Sequence, residues 1–399
     1  MREMAHSSSD VLVEGITSDD LTAPVRSALA SAEAVVIDWR GEVLQGGAGF
    51  IGSVYRFAGT ADDGGARVSW SLVLKAIRGD ASEAPSDLGY WKREPEAYRS
   101  GLLDELPAGV RAPRCHGWVL TATDAWLWLE DVRDDLGGEW PLDRYAEVAR
   151  QLGRLGGTYL GSRQRLGMPW LTTGWLAAWV ERVAPVMTGF RAAVQRDVFA
   201  RIFSGDVADS VLRLWDARTQ LLGTLAGLPQ TLCHLDAFRR NIIASRDGDG
   251  EVRSVLLDWA FVGAGALGEE LAPLVAASVM FDPGARAESL PQLDEIAFRG
   301  YLDGLHDVRW HGDRDEVRFV YSTAAALRYC VGVTGFILCD TDDRGRFIVG
   351  DGWADPKNQA DAEAMFGRSF DDLVEHFAGV FRWLTSLGEE ALQLAPLLR

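Results

Sequence analysis

The sequence predicts an α+β fold, with an antiparallel-sheet N-terminal lobe followed by a mainly helical C-terminal lobe. Two observations predict it. Before residue 132 the apolar stretches are short and punctuated by glycine-rich and Asp-Gly turns, whereas from about residue 140 apolar residues recur at helical spacing. A chain of 399 residues is also long enough for two lobes. The expected division is a disordered tail over 1–17, an N-lobe over 18–132 and a helical C-lobe over 133–399.

Taken in order, Leu21, Val25 and Leu29 at helical spacing predict a helix over 18–32, with Thr17 or Ser18 as its cap. Strands follow over 34–44, 53–58 and 67–77. The first two are separated by Gln45–Gly52, and the hairpin signal Asp62-Asp63-Gly64-Gly65 precedes the third. A helix is expected over 87–103, then strands over 114–120 and 126–132. Residues 142–159 form an amphipathic helix, and 170–228 give several more. Two short strands, 241–245 and 252–258, interrupt the helices, which resume from 268 to the end.

The formal net charge of −18 excludes the basic footprint that general nucleic-acid binding requires. It allows either an acidic cleft or simply a self-repelling surface. No apolar stretch reaches membrane-spanning length, and no basic segment followed by an apolar one opens the chain. The four cysteines show no C-x-x-C pairing and the six histidines no ligand spacing, so a cytoplasmic location is expected.

Chemistry concentrates in His234-Leu-Asp236-Ala-Phe-Arg-Arg-Asn241 and in Asp258, which closes the apolar run Val255-Leu256-Leu257. An Asp and an Asn five apart, followed by a strand ending in Asp, can converge on one metal–phosphate centre. Phosphoryl transfer needs a carboxylate to take the attacking hydroxyl, which suits Asp236. It also needs hard oxygen ligands for Mg²⁺, which suits Asn241 and Asp258. The competing reading is that Asp236 and Asn241 cap turns. Upstream, Gly47, Gly49 and Gly52 lie in a glycine-rich turn between strands, where amides can approach phosphate. Lys75 interrupts the apolar run Leu72–Ile77 and must find a counter-charge or a phosphate, with Glu94 or Glu96 on the next helix as partner. Lysine occurs three times and asparagine twice in the chain, which makes Lys75 and Asn241 informative.

Together these residues resemble the aminoglycoside phosphotransferase and choline kinase-like small-molecule kinase family, over roughly residues 40–275. His234, Asp236 and Asn241 match its His-x-Asp-x-x-x-x-Asn motif, and Asp258-Trp259 its later Asp-Trp. The glycine turn, Lys75 and Glu94-x-x-x-Tyr98 follow the family's order. The resemblance implies a bilobal protein-kinase-like fold whose N-lobe binds ATP or GTP with Mg²⁺. It makes Leu129-Glu130-Asp131 a hinge whose backbone, at Glu130 and Val132, would meet the base. Leu235 departs from the glycine that the family places between the His and the Asp, and the connection from catalytic loop to Asp258 is lengthened by the Asp247–Gly250 turn. The implied activity is phosphorylation of a small-molecule hydroxyl: an aminoglycoside or other antibiotic, an amino sugar or a related metabolite. The alternative is a nucleotide-binding pseudokinase without transfer. Trp170, Trp175 and Trp179 offer either an acceptor wall or plain helix core. Glu269, Glu270 and Asp340–Asp343 are candidates to hold an amine-bearing acceptor, or else solvated surface.

Overall fold

Alternation of side chains along residues 53–78 builds the centre of the N-terminal sheet. The structure, a computed structural model, describes residues 15–44, 52–137, 140–246, 250, 252–282, 284–341, 347–348 and 350–398. Helix α1 (Ser18–Leu29) comes first. Its cap is Thr17, whose N–H and hydroxyl both donate to Asp20 at 2.9 and 2.6 Å. Residues 1–14 of the expected tail lie outside the described residues. Ile16 and Thr17 belong to the fold instead, because Ile16 is buried in the N-lobe core and Thr17 closes the cap.

The chain then forms β1 (Val35–Val43), β2 (Ser53–Asp63), β3 (Ala66–Arg78), helix α2 (Arg93–Arg99), the two-residue β4 (Val110–Arg111), β5 (Cys115–Leu120) and β6 (Asp124–Glu130). All the strands but β4 join one antiparallel sheet in the order β1-β2-β3-β6-β5. Leu72 and Leu74 of β3 pack with Leu21 and Val25 of α1 on one face. Lys75 shares the opposite face with Val73 and Ile77, which pack with Trp91 and Leu127. The helix expected over 87–103 shrinks to α2. Before it, the Arg93 guanidinium donates to the carbonyls of Pro85, Asp87 and Leu88, holding them in turns. After it, Gly101 turns left-handed at φ 75°.

The C-terminal lobe opens with α3 (Leu142–Tyr159), which matches its expected span. The short β7 (Thr172–Thr173) precedes helices α4 (Trp175–Arg182), α5 (Ala184–Ala193), α6 (Asp197–Ile202) and α7 (Val207–Gly227). Then come β8 (Gln230–Cys233), the antiparallel hairpin β9 (Ile242–Arg246) and β10 (Val252–Leu256), and β11 (Gly263–Ala266). Strand β10 also pairs in parallel with β4, and β11 lies between β7 and β8. These small sheets fix both ends of the loop between β8 and β9.

The rest is helical: α8 (Leu290–Asp307), α9 (Arg314–Ala325), α10 (Gly332–Leu338), α11 (Pro356–Phe366) and α12 (Phe370–Leu394), plus a small hairpin between α10 and α11. Helices α3 and α8 pack closely because Gly300 and Gly304 let the backbones meet; a methyl group on Gly304 would overlap the Arg150 carbonyl. Arg318 of α9 binds Asp294 of α8 and Glu390 of α12, tying three helices together. Helices α9 and α10 are joined by a π-helical stretch, Ala326–Val331. Such wide turns recur at functional sites, and this one holds Arg328.

Candidate active site

The loop from β8 to β9 carries His234, Leu235, Asp236 and Asn241, and hairpin register decides where its end lies. Ile242 pairs with Leu256, and the Leu257 N–H donates to the Asn241 carbonyl at 2.8 Å. Asn241 therefore stands beside Asp258. His234 is fully buried and bridges the same two segments. Its Nε2 bonds the Leu257 carbonyl at 2.8 Å and its Nδ1 accepts the Asp236 N–H at 3.2 Å, an arrangement for neutral imidazole. Burial, partly countered by that carbonyl, pushes His234 down to about 4, so the ring stays neutral.

Asp236 is held on both oxygens. Asn241 Nδ2 donates to Oδ2 at 2.9 Å and to the Asp236 carbonyl at 3.0 Å, while Arg328 Nη2 meets Oδ1 at 2.7 Å. Burial raises the Asp236 carboxyl, Arg328 opposes it, nearby Asp258 adds to the rise, and the result is about 6.

From the N-lobe, Lys75 Nζ lies 2.5 Å from Glu94 Oε2 and 2.8 Å from Asp258 Oδ1. Burial works against the Lys75 charge, but the two carboxylates outweigh it and raise its pKa. Asp258 is the converse: burial pushes its carboxyl up, and Lys75 by charge and hydrogen bond holds it below the ordinary value. Its backbone is left-handed at φ 57°, a conformation Asp tolerates better than most residues. Glu94 also accepts the Trp259 N–H at 3.3 Å, which ties α2 to the segment after Asp258. Glu96 turns instead to Arg99, so of the two expected partners Glu94 holds Lys75.

The other residues expected on the nucleotide side fall less evenly. Gly47 and Gly49 lie outside the described residues. Gly52 abuts the Ala76 carbonyl, where a Cβ would come within 2.6 Å, so the strand carrying Lys75 leaves room only for glycine. At the expected hinge, the Glu130 carboxylate turns to Arg111 at 2.7 Å and to the Arg114 N–H at 3.1 Å, and the Glu130 N–H donates to the Arg114 carbonyl at 2.8 Å. The Val132 N–H donates to the Glu130 carbonyl at 3.1 Å, so the two hinge groups satisfy one another.

Two side chains of the centre escape the sequence reading, and a third has a different place from the one expected. Arg328 is one; its only signal is a lone charge in the apolar stretch Ala325–Val331. Arg93, fully buried, bonds the Ala260 carbonyl at 2.9 Å and so braces the chain after Asp258. Glu270, expected as an amine anchor or as surface, is the third: its Oε1 accepts the Leu235 N–H at 2.8 Å beneath the β8–β9 loop, and Glu269 likewise holds the Ala266 N–H at 2.7 Å. Neither glutamate offers an exposed anchor for an amine. Asp340 is engaged by Asn358 at 2.9 Å, and Asp342 and Asp343 lie outside the described residues.

Leu235 is the strained residue of the loop, at φ 63°. Both its backbone groups are fixed, the N–H by Glu270 and the carbonyl by Arg328 Nη1, and its side chain is buried with Trp175 and Cys233. Trp175 and Trp179 stack at 5.6 Å, with Phe261 against the first and Phe336 against the second. Trp170 belongs to the main helical core instead.

A family model described as the phosphotransferase enzyme family matches residues 47–311. The chain belongs to that family. Comparison with curated proteins found no match by sequence. Among solved structures, the chain is similar to a spectinomycin phosphotransferase in complex with ADP and spectinomycin, at 14% identity, TM-score 0.48, and 94% and 99% coverage of this chain and that one. It is also similar to an aminoglycoside phosphotransferase from Alicyclobacillus acidocaldarius, at 13% identity, TM-score 0.45, and 91% and 92% coverage. A choline kinase from Cryptosporidium parvum gives 12%, 0.47, and 90% and 92%. The phosphotransferase family's match includes Lys75, Glu94, Asp236, Asn241 and Asp258, while Arg328 lies beyond it. Among the described residues, no helix is long and apolar enough to cross a membrane.

Proposed function

We propose that this phosphotransferase moves the terminal phosphoryl group of ATP or GTP to a hydroxyl of a small molecule. One observation carries the reading. Lys75 binds both Glu94 and the Asp258 carboxylate, and the backbone of Leu257, next to Asp258, is bonded to His234 and Asn241, which in turn hold Asp236, so the N-lobe cation and the loop carboxylate are brought to one centre.

Each residue then has a role that its surroundings favour. Lys75, protonated and braced by Glu94, pairs with the nucleotide phosphates. The glycine turn through Gly47, Gly49 and Gly52 covers them, and the hinge backbone at Glu130 and Val132 exchanges its internal bond for the base. Asn241 and Asp258 are the Mg²⁺ ligands. Their fit rests on donor chemistry: an amide oxygen and an ionised carboxylate that stays 40% exposed, with the remaining positions left to phosphate and water. A bound Mg²⁺ would neutralise charge on the transferring group. Asp236 accepts the acceptor's proton, since a carboxyl near 6 is mostly ionised at neutral pH yet basic enough to take it.

The experiment is ADP release from Mg-ATP across a panel of hydroxyl compounds, wild type against Asp236→Asn. Turnover should fall by about 10²–10⁴-fold in the variant while nucleotide binding, read by thermal shift, persists. Absence of any Asp236-dependent release would sink the transfer reading. Nucleotide binding without release would instead leave a pseudokinase.

A further inference from the structure

Resting on the phosphotransfer reading, the inference concerns what the centre accepts. We propose that Arg328 selects the acceptor: the site takes a hydroxyl flanked by hydrogen-bond-accepting oxygens, neutral or anionic, and disfavours one flanked by a protonated amine.

An ion pair holds Asp236. Arg328 Nη2 lies 2.7 Å from Oδ1, and its Nη1 bonds the Leu235 carbonyl. A hydroxyl bonded to that carboxylate therefore comes within about 5 Å of the guanidinium, the reach of one substituent. Guanidinium carries only donors, five N–H groups in a fixed fork, so its unused positions seek oxygen acceptors. An ammonium arriving there meets a like charge and a carboxylate already neutralised.

The surroundings hold Arg328 in place rather than leaving it free to swing aside. Its guanidinium lies 4.2 Å over the Trp175 ring and 5.1 Å over Tyr329. Its carbonyl accepts the Trp179 Nε1–H at 3.1 Å. The π-helical stretch that carries it is packed between α9 and α10, and a methyl group on Gly332 would overlap the Trp179 indole. Trp175 is thus covered by the guanidinium and stacked on Trp179, which leaves it a poor seat for an ammonium by cation–π contact. Among the described residues, the carboxylates expected to hold an amine are engaged elsewhere: Glu269 and Glu270 are buried on backbone amides, and Asp340 is bonded to Asn358.

The test uses matched probes on two scaffolds: glucosamine, glucose and glucuronate, and 4-(aminomethyl)benzyl alcohol, benzyl alcohol and 4-(hydroxymethyl)benzoate. Ligand-observed NMR on the full chain with Mg²⁺ and a non-hydrolysable ATP analogue reads binding; ADP release reads kcat and KM. Oxygen-bearing probes should be favoured over their amine partners by ~10-fold or more. Arg328→Gln should lower kcat for every probe, because Asp236 loses its cation, and should in addition erase the difference in KM between oxygen and amine probes; Arg328→Lys should restore part of both. Melting curves and nucleotide binding identify a variant that has not folded, and the wild-type preference stands as evidence without it. The inference is overturned if amine probes win in the wild type, if no probe binds, or if Arg328→Gln lowers kcat for all probes equally and leaves the preference intact. Loss of the phosphotransfer reading looks different: probes bind with the expected preference, yet no Asp236-dependent ADP appears.

Discussion

Two cation–carboxylate pairs meet at the candidate centre, and they do opposite things. Lys75 holds Asp258 at 2.8 Å, and Arg328 holds Asp236 at 2.7 Å. Yet Asp258 is kept below the ordinary carboxyl range, whereas Asp236 is pushed up to about 6. Burial raises both. On Asp258 the Lys75 charge and hydrogen bond together outweigh it. On Asp236 the pull of Arg328 falls short, because burial is the larger effect and Asp258 adds a like charge. The same kind of pair thus yields an ionised group suited to a metal on one side and a base on the other.

The sharpest way to break this contrast is to remove Lys75. Lys75→Met leaves Glu94, which is almost fully buried, facing Asp258 without a cation. The expected loss is about 3–5 kcal/mol in urea unfolding, because an uncompensated buried charge remains. Phosphotransfer should drop at least ~100-fold, beyond what destabilisation explains. Adding Glu94→Gln should recover part of the stability and none of the activity. An unchanged melt would show that the N-lobe pair carries no structural charge balance.

The two sides also differed in how far they could be read from sequence. Lys75 was legible because a lysine inside an apolar strand has few explanations, and Asp236, Asn241 and Asp258 because hairpin geometry binds them at short range. Arg328 acts 92 positions from Asp236, and no local pattern encodes that contact. Glu270 was weighed as an amine anchor or as surface, since sequence cannot distinguish a carboxylate that faces a cleft from one supporting the backbone beneath it. The shortened helix α2 has the same origin. Helical spacing over 87–103 is overridden by a tertiary device, the Arg93 guanidinium binding three carbonyls of the preceding turn. Strands β4, β7, β8 and β11, two to four residues each, are too short to show period two.

On the acceptor side, Glu270 is the next lever. Burial first, and Glu269 beside it, push its carboxyl up to about 7 despite the bond from Leu235. Its folded value lies above the unfolded one, so the folded chain keeps a proton that the unfolded chain releases. Stability from this group therefore falls as pH rises from about 4.5 through about 7. Glu270→Gln keeps an acceptor for the Leu235 N–H and loses the titration. Relative to wild type it should gain about 1–3 kcal/mol between pH 4.5 and pH 8 in urea melts. The buried histidines His234 and His376, lowered to about 4, titrate alike in both proteins and cancel. An equal gap at both pH values would mean that Glu270 is ionised in the fold.

Asp236 gives a smaller, kinetic effect. Protonation removes the base, so kcat should fall about tenfold per pH unit below roughly 6, while the lowered Asp258 stays ionised through the same window. A flat profile between pH 7 and pH 5, with chemistry shown to limit the rate, would contradict the contrast between the two carboxylates.

The smallest expected effect separates strain from packing at Leu235. A side chain held at φ 63° costs about 1–2 kcal/mol, and here the cost is borne because Glu270 and Arg328 fix the peptide groups on either side. Leu235→Ala keeps the strain and opens a cavity against Trp175, for a loss of about 2–4 kcal/mol. Leu235→Gly opens a slightly larger cavity and frees more entropy in the unfolded chain, but releases the strain. At an ordinary extended or helical position Gly would trail Ala by about 1 kcal/mol. Here the two should melt within about 0.5 kcal/mol of each other, because relief of the left-handed residue offsets the extra loss. Gly falling a full 1 kcal/mol below Ala would mean that the loop adapts its backbone to Leu235 without strain. Near-equality would mean that the leucine is kept for its contact with the Trp175 and Arg328 side of the centre, at the expense of the backbone that carries Asp236.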